Sequence, residues 1–156
     1  MNQPATMPAT RMLAEQVASL RYEALPAEAV HAFKRVLLDY LSCVVTGSQM
    51  PVSKTLREYL AEIDGAQHAC VVGTALRFSA PHAAFANGAA THGLDFDDGY
   101  TQGSTHPAGA TLPAVLAVSE ALGADAKRTV VAAVLAYDAM LRIASAIHPT
   151  SARRGY

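Results

Sequence analysis

The sequence predicts an all-α domain of five to six main helices. Apolar residues recur at helical spacing along most of the chain, glycine and proline separate these stretches, and only one short valine-rich run has strand character. A composition of 51% hydrophobic and 16% charged residues is typical of a packed globular protein. We therefore expect one domain over residues 9–156, preceded by a loose tail over residues 1–8, which contain two prolines.

The first two helical patterns lie in the N-terminal third of the chain. One spans residues 10–20, and the hydroxyl of Thr10 makes that residue a candidate N-cap. The next spans residues 26–47, where Pro26 suits the first turn of a helix and Gly47 suits its end. The wide apolar stripe of this second helix indicates that it packs in the core.

The middle of the chain predicts a third helix over residues 52–63 and a fourth that begins after Ser79. Between them, the run 68–73 is too short for a helix and predicts a small strand or an extended link. Ser79 is the expected N-cap of the fourth helix, with Pro81 in its first turn. The alanines and glycines of this helix allow a neighbouring backbone to approach closely.

Two further helices follow a loop. Residues 95–109 contain several glycines and prolines without a helical period, which predicts a loop. The fifth helix is expected to end at Gly123. Asp125 is the expected N-cap of the last helix, which should end before His148-Pro149.

Composition argues against several function classes. A net charge of -1 and a pI of about 6.6 do not favour nucleic acid or an anionic membrane, and the 6% aromatic content without tryptophan does not favour base stacking. Cys43 and Cys70 form no CxxC pair, so we expect reduced, buried thiols of the kind found in cytoplasmic proteins. We find no signal peptide, and charges or prolines interrupt the apolar runs, so we expect a cytoplasmic protein without a membrane span.

Side chains that can do chemistry are concentrated within one short segment. They are Asn87, His92, Asp95, Asp97, Asp98, Thr101, Ser104, Thr105 and His106. A polar loop beside a rigid, closely packed helix is a common way to build a site. His92 lies near the C-terminal end of its helix, where it either belongs to the site or interacts with the last carbonyls and the helix dipole.

The acidic run Asp95-Phe96-Asp97-Asp98 places three carboxyl groups close together. Three ionised carboxylates in a dry environment repel one another. They therefore either face solvent, or pair with cations or donors, or include one that stays protonated. The apolar Phe96 within the run favours a loop that is partly folded inward.

His106 comes directly before a helix that begins near Ala108, with hydroxyls at Ser104 and Thr105. The free N–H groups of a helix start favour an anion, and the ordinary pKa of histidine lies near neutral pH. A carboxylate substrate could bind there and exchange a proton with His106. The alternative is a structural histidine that is hydrogen-bonded to the loop backbone.

We expect neither a metal nor another cofactor. Five residues of the segment could in principle bind a divalent ion, but their spacing fits no standard zinc or EF-hand pattern. They are His92, Asp95, Asp97, Asp98 and His106. The acidic run also lacks the further carboxylate of a helical magnesium motif, and the chain has no phosphate-binding loop or nucleophile elbow.

The stretches AFANGAATHGLDFDD and THPAGATLPAVLAVSEALG resemble the N-terminal helical domain of the MmgE/PrpD family. That family includes 2-methylcitrate dehydratase, cis-aconitate decarboxylase and iminodisuccinate epimerase. The likeness extends from about Leu13 to Tyr156. It implies a helical domain joined to a smaller α+β lid, usually in a homodimer, and elimination, decarboxylation or epimerisation of small di- and tricarboxylates without a cofactor.

The resemblance also implies roles for individual residues. Asp95 and His106 fall on active-site positions, with His106 as the proton donor or acceptor and Asp95 orienting or polarising a partner group. Four further residues are expected to contact the substrate: His92, Asp98, Thr101 and Thr105. Gly99 stands where some members have a hydroxyl, and the segment between Asp95 and His106 is one residue longer than in those members, so Thr101 is a candidate substitute.

Family members are much longer than this chain, and the basic lid residues that would hold substrate carboxylates have no counterpart in it. The sequence is therefore compatible with a truncated product, with one piece of a split enzyme completed by a separate lid-domain chain, or with a non-catalytic dimerisation module. A metal-dependent helical hydrolase that uses the aspartates is a further alternative.

Overall fold

The computed structural model describes residues 8–155, so the expected tail lies outside the described residues except for Pro8. Helices dominate this part of the chain, which confirms the all-α prediction. Their bounds are α1 Ala9–Ser19, α2 Ala27–Gly47, α3 Pro51–Ile63, α4 Ala80–His92, α5 Pro107–Ala121, α6 Ala126–Ile147 and α7 Thr150–Arg153. Short 3-10 turns at Tyr22–Ala24 and Thr101–Gly103 and a two-stranded hairpin complete the fold.

Most predicted helix ends are close to the observed ones, with instructive exceptions. The first helix begins earlier than expected, because the Pro8 carbonyl accepts from the N–H groups of Arg11 and Met12, and Thr10 lies inside α1. Pro26 is the N-cap of α2, just outside the helix. The expected cap at Asp125 is confirmed, since its Oδ1 accepts from the Arg128 N–H at 2.8 Å.

The valine-rich run forms part of a small antiparallel hairpin, with β1 Ala69–Cys70 paired to β2 Arg77–Phe78. Glu120 of α5 fixes the hairpin, accepting from the Cys70 N–H at 2.8 Å and pairing with Arg77 at 2.7 Å. Because Cys70 lies on the outward side of this hairpin, it is exposed, and the expectation of a buried thiol is wrong there. Cys43 is buried as expected.

Helix α4 lies at the centre of the packing, against α2, α3 and α5. Gly47 at the end of α2 touches it so closely that a Cβ there would lie 1.8 Å from the Ala90 carbonyl oxygen. The end of α2 does not use a left-handed glycine, because Gly47 is still helical and Ser48 after it is also in the right-handed region. The lack of a side chain at Gly47 instead allows α2 to pack closely against α4. One buried cluster at this crossing joins four of the helices; its members are Tyr40, Val44, Ala90, Ala108, Leu112 and Ala133.

The start of α4 is held by a carboxylate from the end of α3. Ser79 is the N-cap as predicted, but its hydroxyl donates to Asp64 Oδ2 at 2.7 Å instead of accepting from the helix. The Ser79 N–H also donates to Asp64 Oδ2, and the Ala66 N–H donates to Oδ1. These bonds, with the Ser79 hydroxyl as the largest cause, hold the pKa of Asp64 well below its ordinary value.

We expect Asp64→Asn to have a lower free energy of unfolding than the wild type at pH 7, and we expect this difference between the two proteins to become smaller in acid. Because the folded-state pKa of Asp64 is lowered, its charged form stabilises the fold above an unfolded pKa of about 3.9, and this contribution is lost as pH falls toward the folded pKa. Urea midpoints of both proteins at pH 7 and pH 3 measure the gap. A gap of equal size at both pH values would contradict this account.

Helix α6 is apolar for a helix with so much exposed surface. It contains an 18-residue stretch of mean hydropathy 1.8, of which 17% is buried, so its length and composition alone would permit a membrane span. Two charged residues, Asp138 and Arg142, interrupt the apolar sequence of this helix and pair with each other at 2.7 Å. Core helices of soluble proteins meet the same criteria, and the absence of a span stays a prediction.

Candidate active site

The turn from α4 to α5 brings two histidines onto one carboxylate. His92 is the last residue of α4, and His106 is the N-cap of α5. Nδ1 of His92 lies 3.0 Å from Oδ1 of Asp97, and Nδ1 of His106 lies 3.4 Å from the same oxygen. The two imidazole rings meet edge to face, with centroids 5.0 Å apart. The three side chains thus form one compact group, which we call the His-Asp-His cluster.

Asp97 is the central member of this cluster, although the sequence did not single it out. Its side chain is 1% exposed, against 55% for His92 and 42% for His106. Within residues 8–155, its Oδ2 has no hydrogen-bond partner. This oxygen faces the first turn of α5, where a Cβ at Gly109 would lie 2.6 Å away. Gly109 therefore leaves room for the carboxylate.

The buried residue of the acidic run is Asp97, whereas the sequence suggested Phe96. The loop is partly folded inward as expected, but Phe96, which suggested this, is 82% exposed. Asp97 turns inward instead, because two imidazoles and a helix start receive it. The two flanking histidines, one near each end of the loop, were the available signal for a shared carboxylate.

Asp95 adopts the left-handed conformation with φ of +50°, which is uncommon outside glycine but tolerated by aspartate. Its N–H donates to the His92 carbonyl oxygen at 3.0 Å, so the chain reverses directly after α4. Asp95, with an exposed side chain, offers a carboxylate oxygen that belongs to a set of four donor atoms within 4.8 Å of one another. The structure therefore places the two expected catalytic residues, Asp95 and His106, together.

Asp98 faces away from the cluster and joins two helices. Its Oδ1 accepts from the Ala108 N–H at 2.9 Å, and its Oδ2 accepts from the Tyr137 hydroxyl at 2.6 Å. Burial, and then the bond to Asp98, raise the pKa of Tyr137 above its ordinary value. Both oxygens of Asp98 are occupied by the protein, and substrate binding by this residue stays a prediction.

The hydroxyl residues of the loop separate into two groups. Ser104 and Thr105 line a shallow pocket of about 360 Å³ with the cluster. Thr101 begins the 3-10 turn, outside the lining of this pocket, and its proposed substitution for the family's hydroxyl is untested. A larger groove of about 860 Å³ lies between α1 and α6, but its lining contains no histidine, so the smaller pocket is the candidate for acid–base chemistry.

Four side chains at this pocket could hold a metal ion. They are His92, Asp95, Asp97 and His106, whose nearest donor atoms lie within 4.8 Å of one another. Imidazole and carboxylate ligands suit zinc and related ions. All four were among the five residues named from the sequence, and two helix ends bring their donors together although the sequence spacing fits no standard metal pattern. The expectation of no metal stays a prediction.

Chemically, this arrangement suits proton transfer next to a bound anion. Each histidine turns Nδ1 toward Asp97 and has a partly exposed side chain at the pocket. The pocket lies at the N-terminal turn of α5, where the helix dipole favours a negative group such as a carboxylate.

Comparisons with known proteins show which sequences this chain is similar to. The chain is 33% identical over 114 residues to cis-aconitate decarboxylase of Mus musculus, an alignment that covers 72% of this chain and 23% of the relative. It is 30% identical over 135 residues to cis-aconitate decarboxylase of Homo sapiens, covering 86% and 28%, respectively. It is 26% identical over 146 residues to the cis-aconitate decarboxylase-like protein oryM of Aspergillus oryzae, covering 89% and 30%.

The chain thus spans less than a third of the length of these relatives. The profile of the MmgE/PrpD N-terminal domain matches residues 11–155, which is nearly the whole chain and includes every residue of the candidate site. With that match over both helices that carry the His-Asp-His cluster, the chain belongs to the MmgE/PrpD family.

Proposed function

We propose that this chain is the helical part of a cofactor-independent lyase that acts on small di- or tricarboxylates. The observation that carries the proposal is the His-Asp-His cluster at the start of α5, in a family whose similar members are named cis-aconitate decarboxylases. The reaction class is dehydration, decarboxylation or epimerisation by proton transfer beside a carboxylate. We expect the protein to work in the cytoplasm as a homodimer.

In this proposal His106 is the proton donor or acceptor. Its ring reaches the pocket from the N-cap of α5, where a substrate carboxylate would be stabilised by the helix dipole. Asp95 orients or polarises a partner group, helped by the left-handed turn that holds it beside the two rings. His92 and Thr105, which also line the pocket or its rim, would contact the substrate.

A second carboxylate of the substrate needs a cation from elsewhere. Among the described residues, the lining of the pocket includes neither lysine nor arginine. We therefore propose that a lid domain supplies the basic residues, either in the same polypeptide or as a separate chain. This part of the proposal is supported by the short span of the chain relative to its relatives.

We expect His106→Ala to lower turnover about 10²–10⁴-fold in the enzyme completed by a lid, because general acid–base help is typically worth that much. Conversion of cis-aconitate and 2-methylcitrate, followed by proton NMR, measures the effect. His31→Ala, near the start of α2 and outside the lining of this pocket, is the matched control and should keep wild-type turnover. Equal turnover by the wild type and His106→Ala would overturn the assignment.

The chain alone offers a second test of the same proposal. Titration with cis-aconitate should perturb the side-chain resonances of His92 and His106 and leave those of His31 unchanged. If the rings of the cluster do not respond at millimolar concentrations while the protein is folded, the helical part alone does not bind this substrate class, and the titration is repeated on the enzyme completed by a lid, where a missing response would overturn the proposal. Turnover by the isolated chain would instead exclude the alternative of a non-catalytic dimerisation module, whose assembly size-exclusion chromatography reports.

The four donor atoms within 4.8 Å favour one further candidate, a metal-dependent hydrolase. Elemental analysis of the purified protein and titration with zinc distinguish it from the lyase. A lyase activity that survives chelator treatment would count against the metal enzyme, and a hydrolase activity that depends on added zinc would replace the proposal.

A further inference from the structure

We propose that Asp97 is a positioning residue that holds both His92 and His106 as the tautomer with the proton on Nδ1. Both rings would then present an unprotonated Nε2 to one pocket. The catalytic purpose of this arrangement rests on the proposed lyase function, but the tautomers themselves can be tested without substrate. It assigns a role to the most buried carboxylate of the site, whose side chain is 1% exposed.

The acceptors around His106 fix where its proton lies. Nδ1 of this ring is 3.3 Å from the main-chain carbonyl oxygen of Asp97 and 3.4 Å from its Oδ1. A carbonyl oxygen can only accept a hydrogen bond, so Nδ1 must be the donor. In a neutral ring with the proton on Nδ1, the Nε2 atom has a free lone pair.

The second ring leads to the same assignment by a different route. Nδ1 of His92 lies 3.0 Å from Oδ1 of Asp97, the same oxygen that His106 approaches. A protonated carboxyl oxygen has one hydrogen and can donate to only one of two rings. An ionised carboxylate oxygen can only accept, so Nδ1 of His92 is the donor in this bond, while Nδ1 of His106 donates to the main-chain carbonyl oxygen of Asp97.

The position of Asp97 makes this a shared support for both histidines. Its carboxylate accepts from the ring at the C-terminal end of α4, and its main-chain carbonyl accepts from the ring at the N-cap of α5, so one residue orients a ring from each helix. The rings are 5.0 Å apart and both are partly exposed, so their Nε2 atoms can reach the same small substrate. The geometry therefore provides two candidate bases, and two Asp97 bonds decide which nitrogen each one offers.

A merely structural carboxylate would stabilise the loop without selecting a tautomer, and nitrogen NMR separates the two cases. We would record long-range proton–nitrogen correlations of the ¹⁵N-labelled chain at pH 8, without substrate. His92→Gln and His106→Gln identify the signals of the two rings. The expected result is Nδ1–H in both; Nε2–H in either ring of the wild type would overturn the proposal.

Asp97→Ala sharpens the test, because the two rings should respond differently. His92 loses its acceptor and should change to the Nε2–H tautomer, whereas His106 retains the main-chain carbonyl of residue 97. Asp138→Asn is the control, since it removes a carboxylate charge whose partner is Arg142 on the same helix. It should leave both tautomers unchanged.

Circular dichroism shows whether the variants fold. If Asp97→Ala does not fold, Asp97→Asn replaces it, and its amide group should convert at least one ring to Nε2–H by donating to Nδ1. A folded variant at residue 97 with both rings unchanged would show that Asp97 does not select the tautomer. Because the tautomers are measured without substrate, this outcome would overturn the role of Asp97 but not the proposed lyase function. Conversely, an absence of substrate turnover would overturn the lyase function but would not change the observed tautomers.

Discussion

Replacing Gly47 with alanine is expected to destabilise the domain by at least about 3 kcal/mol, the upper part of the range for overpacked cores. The added Cβ would lie 1.8 Å from the carbonyl oxygen of Ala90 and 2.8 Å from its carbonyl carbon. Both are backbone atoms of α4, so no side-chain rotation can relieve the contact. The unfolding midpoint in urea, with the slope checked for change, measures the loss.

Gly88→Ala is the matched control for this prediction. Gly88 is also a helical glycine that faces a neighbouring helix, but its Cβ would lie 3.5 Å from the Gly109 carbonyl oxygen, an ordinary van der Waals distance. Alanine inside a helix is about 0.5–1 kcal/mol more favourable than glycine, so this variant should be as stable as the wild type or more stable. If both variants lose a similar free energy of unfolding, the close contact between Gly47 and Ala90 is not the cause of the destabilisation.

The Gly47 variant also tests the link between packing and the site. Ala90 lies on the last turn of α4, which ends at His92. A displaced α4 would therefore shift His92 relative to Asp97, and the ring signals should change in any folded fraction of the protein. If a destabilised variant keeps wild-type ring signals, α4 is displaced at its other end and not near His92.

Asp98→Ala is the second large effect, with an expected loss of about 2–4 kcal/mol. The substitution removes the acceptor for a helix-start N–H, worth about 0.5–2 kcal/mol, and a charged hydrogen bond from Tyr137, worth about 1.5–3 kcal/mol. These contributions overlap, because the freed Tyr137 hydroxyl regains water where it is partly exposed. Chemical denaturation measures the total.

A double-mutant cycle with Tyr137→Phe separates the two bonds. Tyr137→Phe alone removes only the hydroxyl bond, so it should cost less than Asp98→Ala, and the double variant should cost less than the sum of both. Additive losses would contradict a direct Asp98–Tyr137 interaction. If Asp98 instead binds substrate, Asp98→Asn would raise the KM of the completed enzyme and leave its stability unchanged.

The helices could be predicted from the sequence because their cause is local. Apolar periodicity, prolines in first turns and the Asp125 cap are properties of neighbouring residues, and the structure has helices at each of those places. Gly123 ends α5 in the left-handed conformation, as its position indicated. Gly47 shows the limit, because its tight contact with Ala90 depends on a helix that lies far away in sequence.

The segment that forms the candidate site could be predicted from the sequence, but the arrangement of its side chains could not. The density of polar residues indicated the segment, and the family motifs made Asp95 and His106 the candidate catalytic residues. Which of the three aspartates in the acidic run turns inward depends on a left-handed turn at Asp95 and on donors from α5 and α6. These are tertiary contacts, so Asp97 was passed over and Asp98 was expected to face a substrate.

The cluster is built from one helix end, one turn and the next helix start, and this has a consequence for how the domain can change over time. The hydrogen bonds within the cluster join residues five and nine positions apart, so its three members are encoded within one short stretch of sequence. A gene that loses, gains or exchanges its other segments would still encode all three cluster residues. Segments added around this stretch could then change what the protein binds while the three side chains are inherited together.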